Sequence, residues 1–289
     1  MSAPAAQPFF LPATAGQRFC LYYPAAGDVC RGAVLYVHPF GDEMNKSRRM
    51  AALQARALAA KGYSVLQIDL YGCGDSSGEF AEARWDIWKD DLALASAWLL
   101  EHAKAPLTLW GLRLGALLAL DYGAGAARKP EHMLLWQPVH GGAAFLTQYL
   151  RLLSANAMLA DAGKPAAEKS GGAAALKASL LGGQMLEVAG YELAPELAAA
   201  IDQRDSAKLA LPACPVQWFE SVASAERALT PAVERIAANW REQGVALQVE
   251  RVVCQPFWTT QEITVSDDLL TATTTYFDRL PHAIPGTHA

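Results

Sequence analysis

The chain lacks any uninterrupted apolar stretch of roughly 18 residues, the length a membrane-spanning helix requires. Its first residues, MSAPAAQPFFLPATAGQRF, lack the early basic residues and long apolar run of a secretory signal, so a cytoplasmic location is expected. Cysteine is sparse and unpatterned. Cys20, Cys30, Cys73, Cys214 and Cys254 are an odd number, widely scattered, with no CxxC and no Cys/His spacing suited to a metal. Free thiols are expected, and neither a metal nor a cofactor. Positive charge is also short: 24 Lys and Arg against 29 Asp and Glu leave a net charge of -5, and the one basic cluster, Lys46, Arg48 and Arg49, is brief. That balance excludes nucleic acid as a partner.

Apolar residues are abundant, at 52% against 18% charged, which excludes a disordered chain and allows one large core. Short apolar runs alternate with helical patterns in the first third, which predicts βαβ units and a mainly parallel sheet. GAVLYVHPF (32–40) and YSVLQIDLYG (63–72) read as buried strands, with a helix over RRMAALQARALAAK between them, stopped by Gly62. WDIWKDDLALASAWLLEHA reads as a second helix. PLTLWGLRLGALLALDYG then packs a strand, a two-glycine turn and a helix into 18 residues.

A further strand, HMLLWQPV (132–139), precedes about seventy alanine-rich residues of helical pattern, including a Gly/Lys/Ala-rich patch at 162–183. Sheet signals resume at CPVQWFES (214–221) and VALQVERVVCQPFW (245–258), separated by a helix over 230–243. A last helix, SDDLLTATTTYFDRL, opens on a Ser/Asp cap. The expected organisation is a core formed by 1–138 and 213–289, with a helical lid or cap insertion at 139–212.

The segments HPFGDE, DLYGCGDSSG and GLRLG, in that order, resemble the α/β-hydrolase superfamily, which implies the α/β-hydrolase fold: a mainly parallel sheet flanked by helices, with a helical lid. Within it, HPFGDEMNKSRRMAALQARALAAKGY, DLYGCGDSSGEF with ARWDIWKDDL, and LWGLRLGALLAL resemble the family called exosortase A system-associated hydrolase 2. The likeness covers about residues 31–120 and continues thinly through CQPFWTTQEI. It implies a bacterial setting of exopolysaccharide synthesis and exosortase sorting, an esterase-like or thioesterase-like label, and a protein partner from that pathway. It supplies no substrate, and it leaves a homo-oligomer open.

In the superfamily the tip of the G-x-S-x-G turn carries the nucleophilic serine. Here the turn is Gly111-Leu112-Arg113-Leu114-Gly115. A guanidinium stays protonated and has no lone pair to donate, so the acyl-enzyme route is closed at this position. A cation at a helix start also opposes the macrodipole by about 0.3–1 kcal/mol, so Arg113 needs an anion. Three readings stand open: a pair with Asp42, Glu43 or Glu220, a bidentate hold on a ligand carboxylate or phosphate, or an arginine turned to solvent.

The remaining triad positions are also depleted. Glu220 ends the late strand where the acid is expected. The last strand is followed by no histidine before His282 and His288 near the end of the chain. His38 begins the stretch implied for the oxyanion hole. Pro39 has no N–H, which leaves Phe40 or Gly41 as donors beside Leu114, and a loop-ordering role for His38 competes with a catalytic one. Cys73 and Ser76 serve as substitute nucleophiles only if a base reaches them. Trp85 and Trp88 share a helix face and read as packing. Trp258 is placed with Gln137, His140 and Phe40 around a pocket at the strand ends.

Three functions follow. The first is a non-standard or inactive hydrolase that binds a small anionic or acyl-type ligand through Arg113. The second is an ester or thioester hydrolase without serine, using water held by a carboxylate such as Glu43. The third is an interaction partner of another enzyme.

Overall fold

The computed structural model describes residues 4–160, 172–209 and 213–280. An antiparallel hairpin, β1 (Gln7–Pro12) and β2 (Gln17–Tyr23), leads into β3 (Gly32–Val37), α1 (Asp42–Ala60) and β4 (Tyr63–Ile68). A 3-10 turn (Phe80–Glu82) and α2 (Trp85–Ala103) precede β5 (Leu107–Leu112), α3 (Leu114–Gly125) and β6 (His132–Trp136). Next come α4 (Gly142–Ala160), α5 (Ala173–Leu181), the small hairpin β7 (Leu186–Val188) and β8 (Tyr191–Leu193), and α6 (Pro195–Asp202). The chain returns through β9 (Val216–Val222), α7 (Pro231–Glu242), β10 (Leu247–Val253) and α8 (Asp267–Arg279).

Eight strands form one sheet in the order β1-β2-β4-β3-β5-β6-β9-β10. β2 runs antiparallel to β4, and every pair from β4 through β10 is parallel. Central strands of a parallel sheet are covered on both faces, which is why β3 (GAVLYV) and β5 (LTLWGL) are buried at every position. One face packs Leu35, Leu66, Leu109 and Leu135 against α2 and α3, and the other packs Val34, Val65, Trp110 and Trp136 against α1 and α8. This is the α/β-hydrolase fold.

The sequence pattern locates α2 end to end, and α7 and α8 nearly so. It misplaces the start of α1, which begins at Asp42 rather than Arg48. That polar first turn has no apolar period, and is favoured instead by acids against the helix dipole and an Asp42–Lys46 ion pair of 2.9 Å. β1 and β2 also escape the pattern, as do the three-residue strands β7 and β8. α4, α5 and α6 lie between β6 and β9, within the expected insertion. Part of the Gly/Lys/Ala-rich patch, and His282 and His288, lie outside the described residues. Among the described residues no helix is long and apolar enough to cross a membrane.

Candidate functional site

Arg113 is the single residue between β5 and α3, held at φ 56° and ψ -121°. Side chains disfavour this region by about 1–3 kcal/mol, so the surroundings must impose it. Its N–H donates to Trp136 O at 3.0 Å, and its carbonyl accepts from Val139 N–H at 3.2 Å. The flanking glycines leave no space for alternatives: a Cβ on Gly111 would stand 2.4 Å from Ala116 Cα, and one on Gly115 would stand 2.3 Å from His38 O. The turn therefore fixes Arg113 at the carboxyl ends of the central strands, facing the start of α1.

β3 and β5 are neighbours, with Val37 opposite Gly111, so the first turn of α1 lies beside the first turn of α3. That adjacency selects Glu43 from the three candidate carboxylates. Arg113 Nε donates to Glu43 Oε1 at 3.4 Å, with the two side chains 14% and 17% exposed. Among the described residues Nη1 and Nη2 of Arg113 have no hydrogen-bond partner, and Glu43 Oε2 is buried without one. Burial raises the Glu43 carboxyl above its ordinary range, against the pull of Arg113. Trp258, five residues past the end of β10, lies over the guanidinium at 5.4 Å from the ring centroid. This cation–π contact contributes about 0.5–2 kcal/mol.

The other two carboxylates are engaged elsewhere. Asp42 pairs with Lys46. Glu220 accepts from Trp218 Nε1 at 2.9 Å and from Gln137 Nε2 at 3.1 Å, while Gln137 Oε1 accepts Ser221 N–H at 2.7 Å. Burial raises the Glu220 carboxyl, opposed by those hydrogen bonds and by the charge of Arg113. His140 packs on Trp218 at 5.0 Å between ring centroids. Burial and then Arg113 push its pKa down to about 4, so its ring is neutral beside the guanidinium.

His38 takes the loop-ordering role. Its Nε2 accepts Leu70 N–H at 3.2 Å and its Nδ1 lies 2.7 Å from Pro39 O, an arrangement that puts the proton on Nδ1. Burial lowers its pKa. Cys73 and Ser76 are likewise structural: burial pushes the Cys73 thiol far up, and Ser76 Oγ bridges Phe19 N–H and Asp69 O. Trp85 and Trp88 are buried, donating to Asp121 and to Tyr71 O. As the first residue of α3, Leu114 has an N–H with no intrahelical acceptor.

Phe40 does not share a pocket with Gln137 and Trp258. It sits on the other side of the turn, among Phe80, Phe145 and Tyr149 at 5.1–5.6 Å, with the Tyr149 hydroxyl over Gly41. A cavity of about 10 Å³, at the lower limit for a single water, lies between His38, Phe40, Trp85, Trp88, Leu114 and Gly115. Phe145 and Tyr149 were absent from the expected site, although their spacing of four on α4 puts them on one face. Gln137 and Trp258 instead line an open groove of about 1000 Å³ between the ends of β9 and β10 and the start of α8. A second large cavity, about 840 Å³, lies at the opposite end of the sheet near His132 and Leu247, away from these residues. Among the described residues no cluster of His, Cys, Asp or Glu is arranged to hold a metal ion.

A family model described as serine aminopeptidase, S33 (Hydrolase_4) matches residues 28–179, just over half of the chain. No curated protein sequence matches significantly. Among solved structures, Est1E from Butyrivibrio proteoclasticus with bound ferulic acid aligns with a TM-score of 0.63 and 13% identity, covering 93% of this chain and 95% of that one. A soluble variant of monoglyceride lipase from Saccharomyces cerevisiae, in complex with a substrate analogue, gives 0.62 and 14%, covering 96% and 95%. An α/β serine hydrolase without a lid from Xanthomonas campestris gives 0.58 and 16%, covering 97% of each. At these identities the likeness is one of fold.

Proposed function

Because the chain belongs to the serine aminopeptidase S33 family of α/β hydrolases, we propose that Arg113 stands where that family carries its nucleophilic serine and serves to bind an anionic group. One observation carries the reading. Arg113 gives a single N–H, from Nε, to Glu43, and both terminal nitrogens have no partner among the described residues. A guanidinium can hold a structural carboxylate on one edge and a ligand carboxylate or phosphate on its terminal fork. The protein pair and ligand recognition are thus compatible. Trp258 occupies the stretch after the last strand from which the superfamily takes its histidine, so the two departures support one remodelled centre. Within the expected insertion, α4, α5 and α6 serve as the lid, with Phe145 and Tyr149 packed on Phe40. The likeness to exosortase-associated hydrolases supports a setting in exopolysaccharide metabolism.

The test is thermal-shift titration with acetate and inorganic phosphate. The wild type is expected to gain stability with ligand concentration, and Arg113→Ala to gain none. Equal shifts in the two proteins would remove Arg113 from recognition.

A second reading, ester or thioester hydrolysis by water activated at Glu43, is favoured by the buried, unpartnered Oε2 and the raised carboxyl pKa. It requires turnover of activated esters or thioesters that survives in Arg113→Ala and is lost in Glu43→Gln. Absence of turnover on such a panel eliminates it.

A further inference from the structure

The cavity of about 840 Å³ at the amino ends of β6, β9 and β10 lies at the opposite end of the sheet from Arg113. Strand alternation turns His132, Gln217 and Glu250 to the α8 face, where Leu134, Phe219 and Val252 pack further along the same strands. The end of α8 supplies the facing wall through Ala272, Tyr276 and Arg279, and the end of α7 adds Arg241. Exposure orders the polar groups by depth. The two arginines are exposed, His132 and Tyr276 half-buried, and Gln217 only 2% exposed. Gln217 Nε2 donates to Glu250 Oε2 at 3.4 Å, while its Oε1 has no partner among the described residues, where a buried amide oxygen ordinarily has one. Arg241 Nε donates to Leu247 O at 3.3 Å, which fixes the side chain and leaves its terminal nitrogens without a partner among the described residues. Arg279 has no hydrogen bond or ion pair among those residues. Cations suit the last turn of a helix, but the helix dipole accounts for neither the buried amide nor the cavity. Burial lowers the His132 pKa, so two guanidiniums stand against one lining carboxylate, Glu250. The rest of the wall is mainly apolar, with Val216, Val245 and Leu247 beside the Tyr276 ring.

We propose that this cavity is a second ligand site, for a small hydroxylated aromatic carboxylate. The carboxylate head meets the arginines at the mouth, the ring lies against Val216, Leu247 and Tyr276, and the hydroxyl donates to Gln217 Oε1 at the floor. Apolar walls with a few convergent polar groups are the usual make-up of a small-molecule site. A rigid ring holds head and hydroxyl apart at little entropic cost and stacks on an aromatic neighbour. A second carboxylate in place of the hydroxyl is rejected, because it would meet the Gln217 oxygen beside Glu250. The site is independent of the role proposed for Arg113.

Calorimetric titration of 4-hydroxybenzoate and 3-(4-hydroxyphenyl)propanoate into the wild type and Arg113→Ala tests this, with benzoate, 3-phenylpropanoate and phenol as counterparts. At least one hydroxy acid is expected to bind both proteins. Its counterpart without the hydroxyl should bind about 2- to 10-fold more weakly, and phenol, without the head, about tenfold or more. Arg279→Gln should weaken the hydroxy acid by about tenfold or more, and Arg279→Lys should restore most of the loss. Gln217→Met should bring the hydroxy acid down to its counterpart's affinity. Thermal midpoints verify that the variants fold, and the counterpart acids read the Gln217 contact without any substitution. Acetate and inorganic phosphate lack the apolar body and are not expected to register here, so the test of Arg113 is read separately. Loss of binding in Arg113→Ala assigns it to the β5–α3 turn and overturns the second site. Binding indifferent to both Arg279→Gln and Gln217→Met places the ligand outside this cavity, with the same consequence. Equal affinity with and without the hydroxyl overturns the floor contact, and phenol binding as well as the acids overturns the head assignment. Binding by neither hydroxy acid refutes the inference.

Discussion

Replacing Arg113 by methionine, which keeps an apolar stem and removes the charge, should destabilise the protein by an amount that depends on pH through Glu43. At 3.4 Å and an effective dielectric near 20, the lost attraction is about 5 kcal/mol. The carboxyl avoids that full loss by taking a proton. From its ordinary value of 4.5, protonation costs at most about 3.4 kcal/mol at pH 7 and about 0.7 kcal/mol at pH 5. Protonation is the smaller cost, so it wins. Burial already lifts the folded carboxyl above its unfolded value. Its contribution is therefore fully present below the unfolded pKa and is lost as pH rises through the folded one. Removing Arg113 raises the folded value further and extends that loss upward in pH. The double variant Arg113→Met/Glu43→Gln should exceed Arg113→Met in stability by a margin growing from under about 1 kcal/mol at pH 5 towards about 3 kcal/mol at pH 7. Urea denaturation of both proteins at pH 5, 6 and 7, followed by tryptophan fluorescence, measures the margin directly. A pH-independent difference, or no rescue by Glu43→Gln, would show that Glu43 does not depend on Arg113 for its counter-charge.

Other consequences are open to simpler assays. Arg113→Ser should show no turnover of p-nitrophenyl acetate above the Arg113→Ala background, because Trp258 follows β10 where a base is needed; a burst of p-nitrophenol would contradict this. By proton NMR, His140 should titrate near 4 in the wild type and higher in Arg113→Met, since Arg113 is the second cause of its depression. A depressed imidazole favours the fold above its ordinary pKa of 6.5, and that stability is lost as pH falls towards 4. Gly115→Ala should cost about 3 kcal/mol in thermal or urea unfolding, because the new Cβ meets the His38 carbonyl; near-wild-type stability would mean that the β3 end yields easily.

The parts of this fold that the sequence makes legible are those with a local cause. β3, β4 and β5 are apolar runs because both faces of their sheet are covered, and α2 carries its period from Trp85 to Ala103. The N-terminal hairpin is obscured by its own edge position: Pro8 and Pro12 interrupt β1, as edge strands allow. At the candidate site, the two-glycine turn is readable because steric exclusion leaves a mark at fixed offsets. The partner of Arg113 is not readable in that way. Asp42, Glu43 and Glu220 look equivalent until the pairing of β3 with β5 sets one of them beside the turn and the Gln137–Trp218 bracket occupies another. Phe40 separates from Trp258 for a related reason, since which side of the turn a residue occupies depends on packing against α4.

The posture of residue 113 is set by elements that ignore its side chain. The backbone bonds to Trp136 and Val139, the two side-chain-free flanks, and the sheet that aims them would act on any occupant. The turn is thus a mount whose alignment is independent of what is fitted to it. On the proposed reading, exchange of a nucleophile for a cation needs no new scaffold, only a counter-charge within reach, which Glu43 supplies. A protein built this way can lose one chemistry and acquire another by changing its exposed fitting, with the frame that presents it left intact.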